Sequence, residues 1–210
     1  MGVAGAALLP LQPQLAPPAS AAPLNQRGLP SAGTIPPELS GTLLRNGPAL
    51  FEVGSQPIPQ PFDGDGMAAQ FAFRGGRVFF ANRFVRTEAF VKEQQAGKML
   101  FRGAFSTGAP EGQWLFNPFD FSIKKVANTG IFHWGGRTLA LYERDLPYEL
   151  EGPDLRTKGA TDLGGAILAD SPWIAAHYRQ SREDGERRAP RVVSFQEGCW
   201  QRRGTQLMHC

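Results

Sequence analysis

The sequence predicts an all-β fold, and three observations carry that expectation. Glycine (25) and proline (18) make up about one residue in five of the 210, too many interruptions for a helical bundle. Aromatic-rich runs flank Gly75-Gly76 over residues 71–80, and the arrangement returns around Gly135-Gly136 over residues 131–142, the pattern of antiparallel hairpins closed by tight turns. A hydrophobic fraction of 41%, with 15 Phe and 4 Trp, provides core-forming material, and a charged fraction of 20% belongs to a globular chain. No run approaches the ~18 apolar residues that a membrane-spanning helix needs.

Taken in order, residues 1–33 read as a disordered Ala/Pro-rich leader. Met1 to Gln26 holds no charged side chain, and prolines at 10, 13, 17, 18 and 23 break any helix. A secretory signal needs a basic residue ahead of its apolar run, and Arg27 comes after it. Ser and Arg are too scarce for a clear transit peptide, so a plastid and a cytoplasmic location both stay open. Next, Arg45-Asn46-Gly47-Pro48 reads as a strand ending in a turn, with Pro48 stopping the ladder. Phe62-Asp63-Gly64-Asp65-Gly66-Met67 looks like a calcium loop but fails as one. Met67 and Arg74 stand where an EF-hand needs its third ligand and its glutamate. Asp63 and Asp65 therefore read as turn formers that satisfy loop amides. Neither Gly-Gly turn is followed by the Lys-Ser/Thr or G-x-G-x-x-G of a phosphate cradle.

A third turn at Asp184-Gly185 precedes a strand-like run, Arg191-Val192-Val193-Ser194-Phe195. The three turns are spaced by 60 and 50 residues. Such periods suit propeller blades of roughly 40–50 residues with insertions, although a β-sandwich accommodates two hairpins equally well. Residues 34–195 would supply about three blades where a closed propeller needs at least about four. The expectation is an incomplete ring. Residues 196–210 lose all alternation and contain both cysteines, Cys199 and Cys210. They read as a foreign tail left by a frameshift, an unspliced intron or a mispredicted exon. A Cys199–Cys210 pair or a Cys/His clip is the sharper alternative, without any recognised zinc spacing.

The net charge of +3 does not indicate a nucleic-acid partner. Beyond Tyr178, Arg179, Arg182, Arg187, Arg188, Arg191, Arg202 and Arg203 outnumber Glu183, Asp184, Glu186 and Glu197 by the whole of that excess. A neutral body with a basic tail is a poor footprint for DNA or RNA.

Several strings together resemble the carotenoid cleavage oxygenase family. They are residues 37–48 (Pro37-Glu38-Leu39-Ser40-Gly41-Thr42 through Pro48), 62–67 (the Asp-Gly-Asp-Gly run) and 82–87 (Asn82-Arg83-Phe84-Val85-Arg86-Thr87). Ala127-Asn128-Thr129, Leu139-Ala140-Leu141-Tyr142-Glu143, Pro147-Tyr148-Glu149-Leu150 and Leu155-Arg156-Thr157-Lys158-Gly159 continue in family order. One departure is Ala68-Ala69, where the family often has a histidine.

The resemblance implies the N-terminal arc of a seven-bladed β-propeller with ferrous iron, Fe(2+), on its axis. Four histidines from different blades hold the iron, and glutamates brace three of them. The implied chemistry is oxidative scission of a conjugated carbon–carbon double bond in a carotenoid or apocarotenoid by O2, with a stilbene-like phenylpropanoid as the alternative substrate. A non-catalytic propeller fragment acting as an interaction module is the rival outside enzymology. Neutral imidazoles suit Fe(II), and a carboxylate on the far ring nitrogen fixes the tautomer. His177, in Ala175-Ala176-His177-Tyr178-Arg179, resembles the first iron ligand, and Glu143, 34 positions earlier, matches the first bracing glutamate. Without the resemblance, His177 reads as a surface or core histidine and Glu143 as a strand-end charge. His133 abuts a hairpin turn and reads as structural, and His209 has no partner in sequence. With one imidazole in place of four, this chain alone is expected to be inactive. The family also implies a polyene partner and peripheral membrane contact through an apolar patch, for which the leader offers no amphipathic period.

Overall fold

The computed structural model describes residues 33–106, 122–143, 145–167, 169 and 174–177 in full, and five further strands by backbone alone. Among these residues the chain is mostly β, as expected, with several antiparallel sheets and one α-helix. The first sheet runs β1 (Ala7–Leu9), β2 (Gly41–Leu50), β5 (Asp65–Arg74) and β6 (Arg77–Phe84). A ribbon of β3 (Glu52–Val53) and β4 (Gln56–Pro57) lies between β2 and β5 in sequence. The second sheet is ordered β10 (Arg156–Ala160), β9 (Tyr148–Glu151), β8 (Arg137–Leu141), β7 (Gly130–Trp134). The third joins β11 (Tyr178–Ser181), β12 (Arg191–Ser194), β13 (Trp200–Arg203) and β14 (Gln206–His209).

Both Gly-Gly turns form as the sequence predicts. Arg74 pairs with Arg77 across Gly75-Gly76, and Trp134 with Arg137 across Gly135-Gly136. All four glycines have positive φ (55°, 69°, 58° and 77°), the twist that a two-residue hairpin turn requires and that a Cβ opposes. The Asp184-Gly185 turn lies outside the described residues, but β11 and β12 pair on either side of it. The helix α1 (Glu88–Ala96) was not expected. Thr87 caps it by accepting from the Phe90 amide at 3.1 Å, and Gly97 ends it at φ 62°.

Two further readings are corrected. The strand does not end at Arg45-Asn46-Gly47-Pro48: β2 continues through it, pairing Gly47 with Met67 and Pro48 with Gly66, and shifts register only between Pro48 and Leu50. Among the described residues β1 pairs with β2 only at Thr42 to Leu44, so no described strand asks Pro48 for an amide on that side. Asp65 is not a turn former either. It opens β5 with 1% exposure, and its carboxylate pairs with Lys124 at 2.6 Å.

Within the leader, Ala7–Leu9 forms β1, and residues 1–6 and 10–32 lie outside the described residues. In the tail, β13 and β14 pair over Trp200 to His209, while Cys199 and Cys210 lie outside the described residues. Among the described residues no helix is long and apolar enough to cross a membrane.

The core sits between the first two sheets. Leu44, Ala68 and Val85 meet Ala127, Ile131, Ala140, Tyr148, Leu150 and Leu155. Small residues on the inner face of β5 (Ala68, Ala72) let the sheets approach, while the larger Phe71 and Phe73 stay half-buried on the other face. Phe132, Leu139 and Leu141 point to the opposite side of the second sheet, where Ala176 covers them with Ile174 and Leu163 beside it. Thus β8 is buried on both faces, which explains its unbroken apolar run. Each fully buried Leu or Ile contributes roughly 1.5–3 kcal/mol.

Candidate functional site

Glu143 stands two residues beyond the end of β8, so a central strand buried on both faces delivers it. The chain then turns through Asp145, which bridges to Ile174, whose amide donates to the Asp145 carbonyl at 3.2 Å. That bridge draws residues 174–177 across the second sheet and buries Ala175 and Ala176 at 2% exposure. Gly130 makes the approach feasible, because a Cβ there would collide with the Ala176 carbonyl oxygen.

The result is a meeting of distant residues. The Ala176 amide donates to Glu143 Oε1 at 3.2 Å, and His177 Nε2 lies 3.8 Å from the same oxygen. The His177 side chain is 77% exposed and that of Glu143 33% exposed. Among the described residues Glu143 Oε2 nevertheless is buried with no hydrogen-bond partner, and so is Oδ2 of Asp145, whose other oxygen pairs with Lys125 at 2.6 Å. Next to them, burial pushes the Tyr142 hydroxyl above its ordinary value, with the charges of Asp63, Asp145 and Glu143 adding to the shift. Among the described residues carboxylate is thus in excess here, and the exposed imidazole opens toward solvent.

The two other sequence histidines do not join the site. His133 Nδ1 lies 3.0 Å from Thr138 Oγ1, its cross-strand partner, and Nε2 is buried without a partner among the described residues. Burial holds this imidazole below its ordinary value, which keeps it neutral. His209 lies on β14, of which only the backbone is described.

Around the Asp-Gly-Asp-Gly run the carboxylates are already engaged. Asp63 accepts from the amides of Ala104 (2.7 Å), Phe105 (3.1 Å) and Ser106 (2.8 Å) and from the Ser106 hydroxyl (2.6 Å), so it does satisfy loop amides. Lys124 joins Asp65 to Glu93 of α1, at 2.6 Å from each, with 5% exposure or less for all three side chains. Burial raises the Asp65 pKa, Lys124 pulls it back, and one ammonium serving two carboxylates leaves the balance upward. Glu93 Oε1 also accepts from the amides of Leu100 and Phe101. Sequence reading missed this triad, whose only signal was a lysine in an apolar-flanked stretch far from its acids.

A metal centre needs more donors than the described residues assemble. Among the described residues no group of three His, Cys, Asp or Glu side chains could hold an ion. One imidazole with a carboxylate behind it suits a share of an Fe(II) shell and is insufficient to retain the ion. The donor set therefore fits as part of a larger site.

The family model for retinal pigment epithelial membrane protein matches residues 19–193. Apocarotenoid-15,15'-oxygenase of Synechocystis sp. is 53% identical over 148 residues, covering 70% of this chain and 30% of that protein. Isoeugenol monooxygenase of Pseudomonas nitroreducens is 37% identical over 164 residues, 73% of this chain and 30% of its own length. The crystal structure of cobalt-substituted Synechocystis apocarotenoid oxygenase superposes with a TM-score of 0.69 at 47% identity, over 81% of this chain and 35% of that one. The chain spans about 30% of the length of these curated relatives.

Proposed function

This chain belongs to the carotenoid cleavage oxygenase family, and from that premise we propose that it supplies the N-terminal part of an iron-dependent oxygenase acting on a carotenoid or apocarotenoid. Its three sheets are then successive blades of a seven-bladed propeller, an arrangement supported by the burial of the second sheet on both faces. The reaction cleaves one conjugated carbon–carbon double bond with O2, and each former alkene carbon takes one oxygen atom as a carbonyl.

The observation that carries the reading is the convergence of Glu143 and His177, 34 residues apart, beside a buried carboxylate oxygen without a partner. His177 offers one neutral imidazole to Fe(II). Glu143 orients a second histidine by accepting its ring N–H on Oε2, which fixes the tautomer and raises that ligand's basicity. The remaining donors have to come from sequence beyond these residues. Bound iron supplies the open coordination positions at which dioxygen is activated. The chain's own share is to place its two side chains so that no rearrangement is needed when the shell closes.

The test is a complete oxygenase carrying this chain as its N-terminal part. His177→Ala is expected to lose its iron, measured by elemental analysis of the purified protein, and unchanged iron content overturns the assignment. A panel of polyenes and stilbene-like phenylpropanoids then separates the two substrate classes; the 53% identity to an apocarotenoid oxygenase, against 37% to isoeugenol monooxygenase, favours the first. A 210-residue chain that folds without iron and binds another protein would favour the interaction module.

A further inference from the structure

The inner face of the first sheet is not wholly apolar. Residues alternate along a strand, so β2 turns Thr42, Leu44 and Asn46 toward the second sheet, opposite Ala72, Gln70 and Ala68 of β5. Thr42 is 0% exposed and Gln70 1%. Asn46 Nδ2 reaches the Gly130 carbonyl at the start of β7, and Leu44 shares one core cluster with Ile131. β7 therefore crosses β2 with Gly130 near Asn46 and Ile131 near Leu44. His133, two residues on and on the same face as Ile131, follows toward Thr42.

Three polar atoms on this side of Leu44 are buried without a partner among the described residues: Thr42 Oγ1, Gln70 Oε1 and His133 Nε2. Asn46 Oδ1, on the other flank of Leu44, is a fourth. Protein interiors leave few such atoms unpaired, because each forfeits its hydration for nothing in return. A neutral imidazole carries one N–H. Burial keeps the His133 ring neutral, and Thr138 Oγ1 stands 3.0 Å from its Nδ1. When the Thr138 hydroxyl donates to Nδ1, the ring proton sits on Nε2, the nitrogen enclosed in the seam.

We infer that the seam between the first two sheets is a binding site for ordered water, held by Thr42 Oγ1, Gln70 Oε1 and His133 Nε2. A water molecule gives one hydrogen to each oxygen and takes the imidazole N–H on a lone pair. That makes about three bonds, the usual number for a buried water. A metal ion does not suit the same place, since both oxygens are uncharged and the imidazole presents a hydrogen instead of a lone pair. The site does not depend on the iron chemistry proposed above. Water there joins the two sheets beside the clamp that Asn46 makes.

The test uses the 210-residue chain in solution, with water itself as the probe. Nuclear Overhauser transfer from water is expected at the His133 ring N–H and the Gln70 side-chain amide, with the sign of a long-lived buried molecule. A long-range nitrogen–proton spectrum of the imidazole is expected to place the proton on Nε2. Thr42→Val and Gln70→Met each remove one acceptor at similar volume. If the oxygens stay dry, losing one is neutral or stabilising. With water shared between them, each variant is expected to raise the unfolding equilibrium constant about fivefold in urea. The double variant should then cost less than the product of the two. The site is overturned by no water transfer at either group, by a proton on Nδ1, by single variants no less stable than the parent, or by costs that multiply independently. Should a variant not fold, the two spectra of the unmutated chain decide alone.

Discussion

The seam between the first two sheets and the edge where Glu143 meets His177 are built on opposite terms. At the seam, asparagines clamp both ways: Asn46 Nδ2 donates to the carbonyls of Ala127 (2.8 Å) and Gly130 (2.9 Å), and Asn128 Nδ2 donates to those of Phe62 (2.8 Å) and Gly64 (2.7 Å). The Gly66 amide donates to the Val126 carbonyl, and a Cβ at Gly66 would strike Ala127, which is held at φ 44°. At the edge, the imidazole is exposed and one carboxylate oxygen accepts from no described donor. The seam turns its amide donors to stability, although Asn46 Oδ1 too is buried without a partner among the described residues. The edge leaves its polar groups available, the usual cost of a functional site.

That contrast predicts which substitutions unfold the protein and which only disable it. The largest effect is expected from Lys124→Met, which strands Asp65 and Glu93 as buried charges and should cost about 3–5 kcal/mol in chemical denaturation. A loss below about 1 kcal/mol would mean that water reaches the two carboxylates once the ammonium is gone.

Next come Asn46→Ala and Asn128→Ala. Each leaves two carbonyls without their donor and is expected to cost about 1–3 kcal/mol. Their double variant sharpens the contrast, since non-additive costs would show the two clamps to be one device.

A smaller change is expected from acid. Unfolded, His133 takes its proton at the ordinary value of 6.5, whereas burial keeps the folded ring neutral to lower pH. The unfolded state therefore binds more protons between those values, and stability should fall as pH drops below 6.5 toward the lowered folded pKa. His133→Gln should remove that part of the slope in thermal melts taken between pH 7 and 5. The least effect on stability is expected from His177→Ala, within about 0.5 kcal/mol for an exposed side chain. Any larger loss would mean that the edge serves the fold as the seam does.

How much of this was legible in sequence depends on how far each residue reaches. The Gly-Gly turns were readable because φ preference is local, and the strands beside them followed from their aromatic runs. Asn46 was misread because its partners lie 81 and 84 residues away, so an Asn-Gly-Pro string that looks like a turn is instead an inter-sheet clamp within a strand. Asp65 was misread for the same reason, with Lys124 59 residues distant. Glu143 and His177 were singled out only through family resemblance. The Ala176 amide that joins them carries no side-chain signal at all.

By itself, the sequence determined the strand-forming runs, the two tight turns between them and the family to which they belong, because each depends on residues within a few positions of one another. Only the tertiary structure decided which polar groups would be saturated and which left open. A hydrogen bond to a backbone carbonyl on another sheet, or a carboxylate oxygen enclosed without a donor, exists only once distant segments have been brought within about 3 Å.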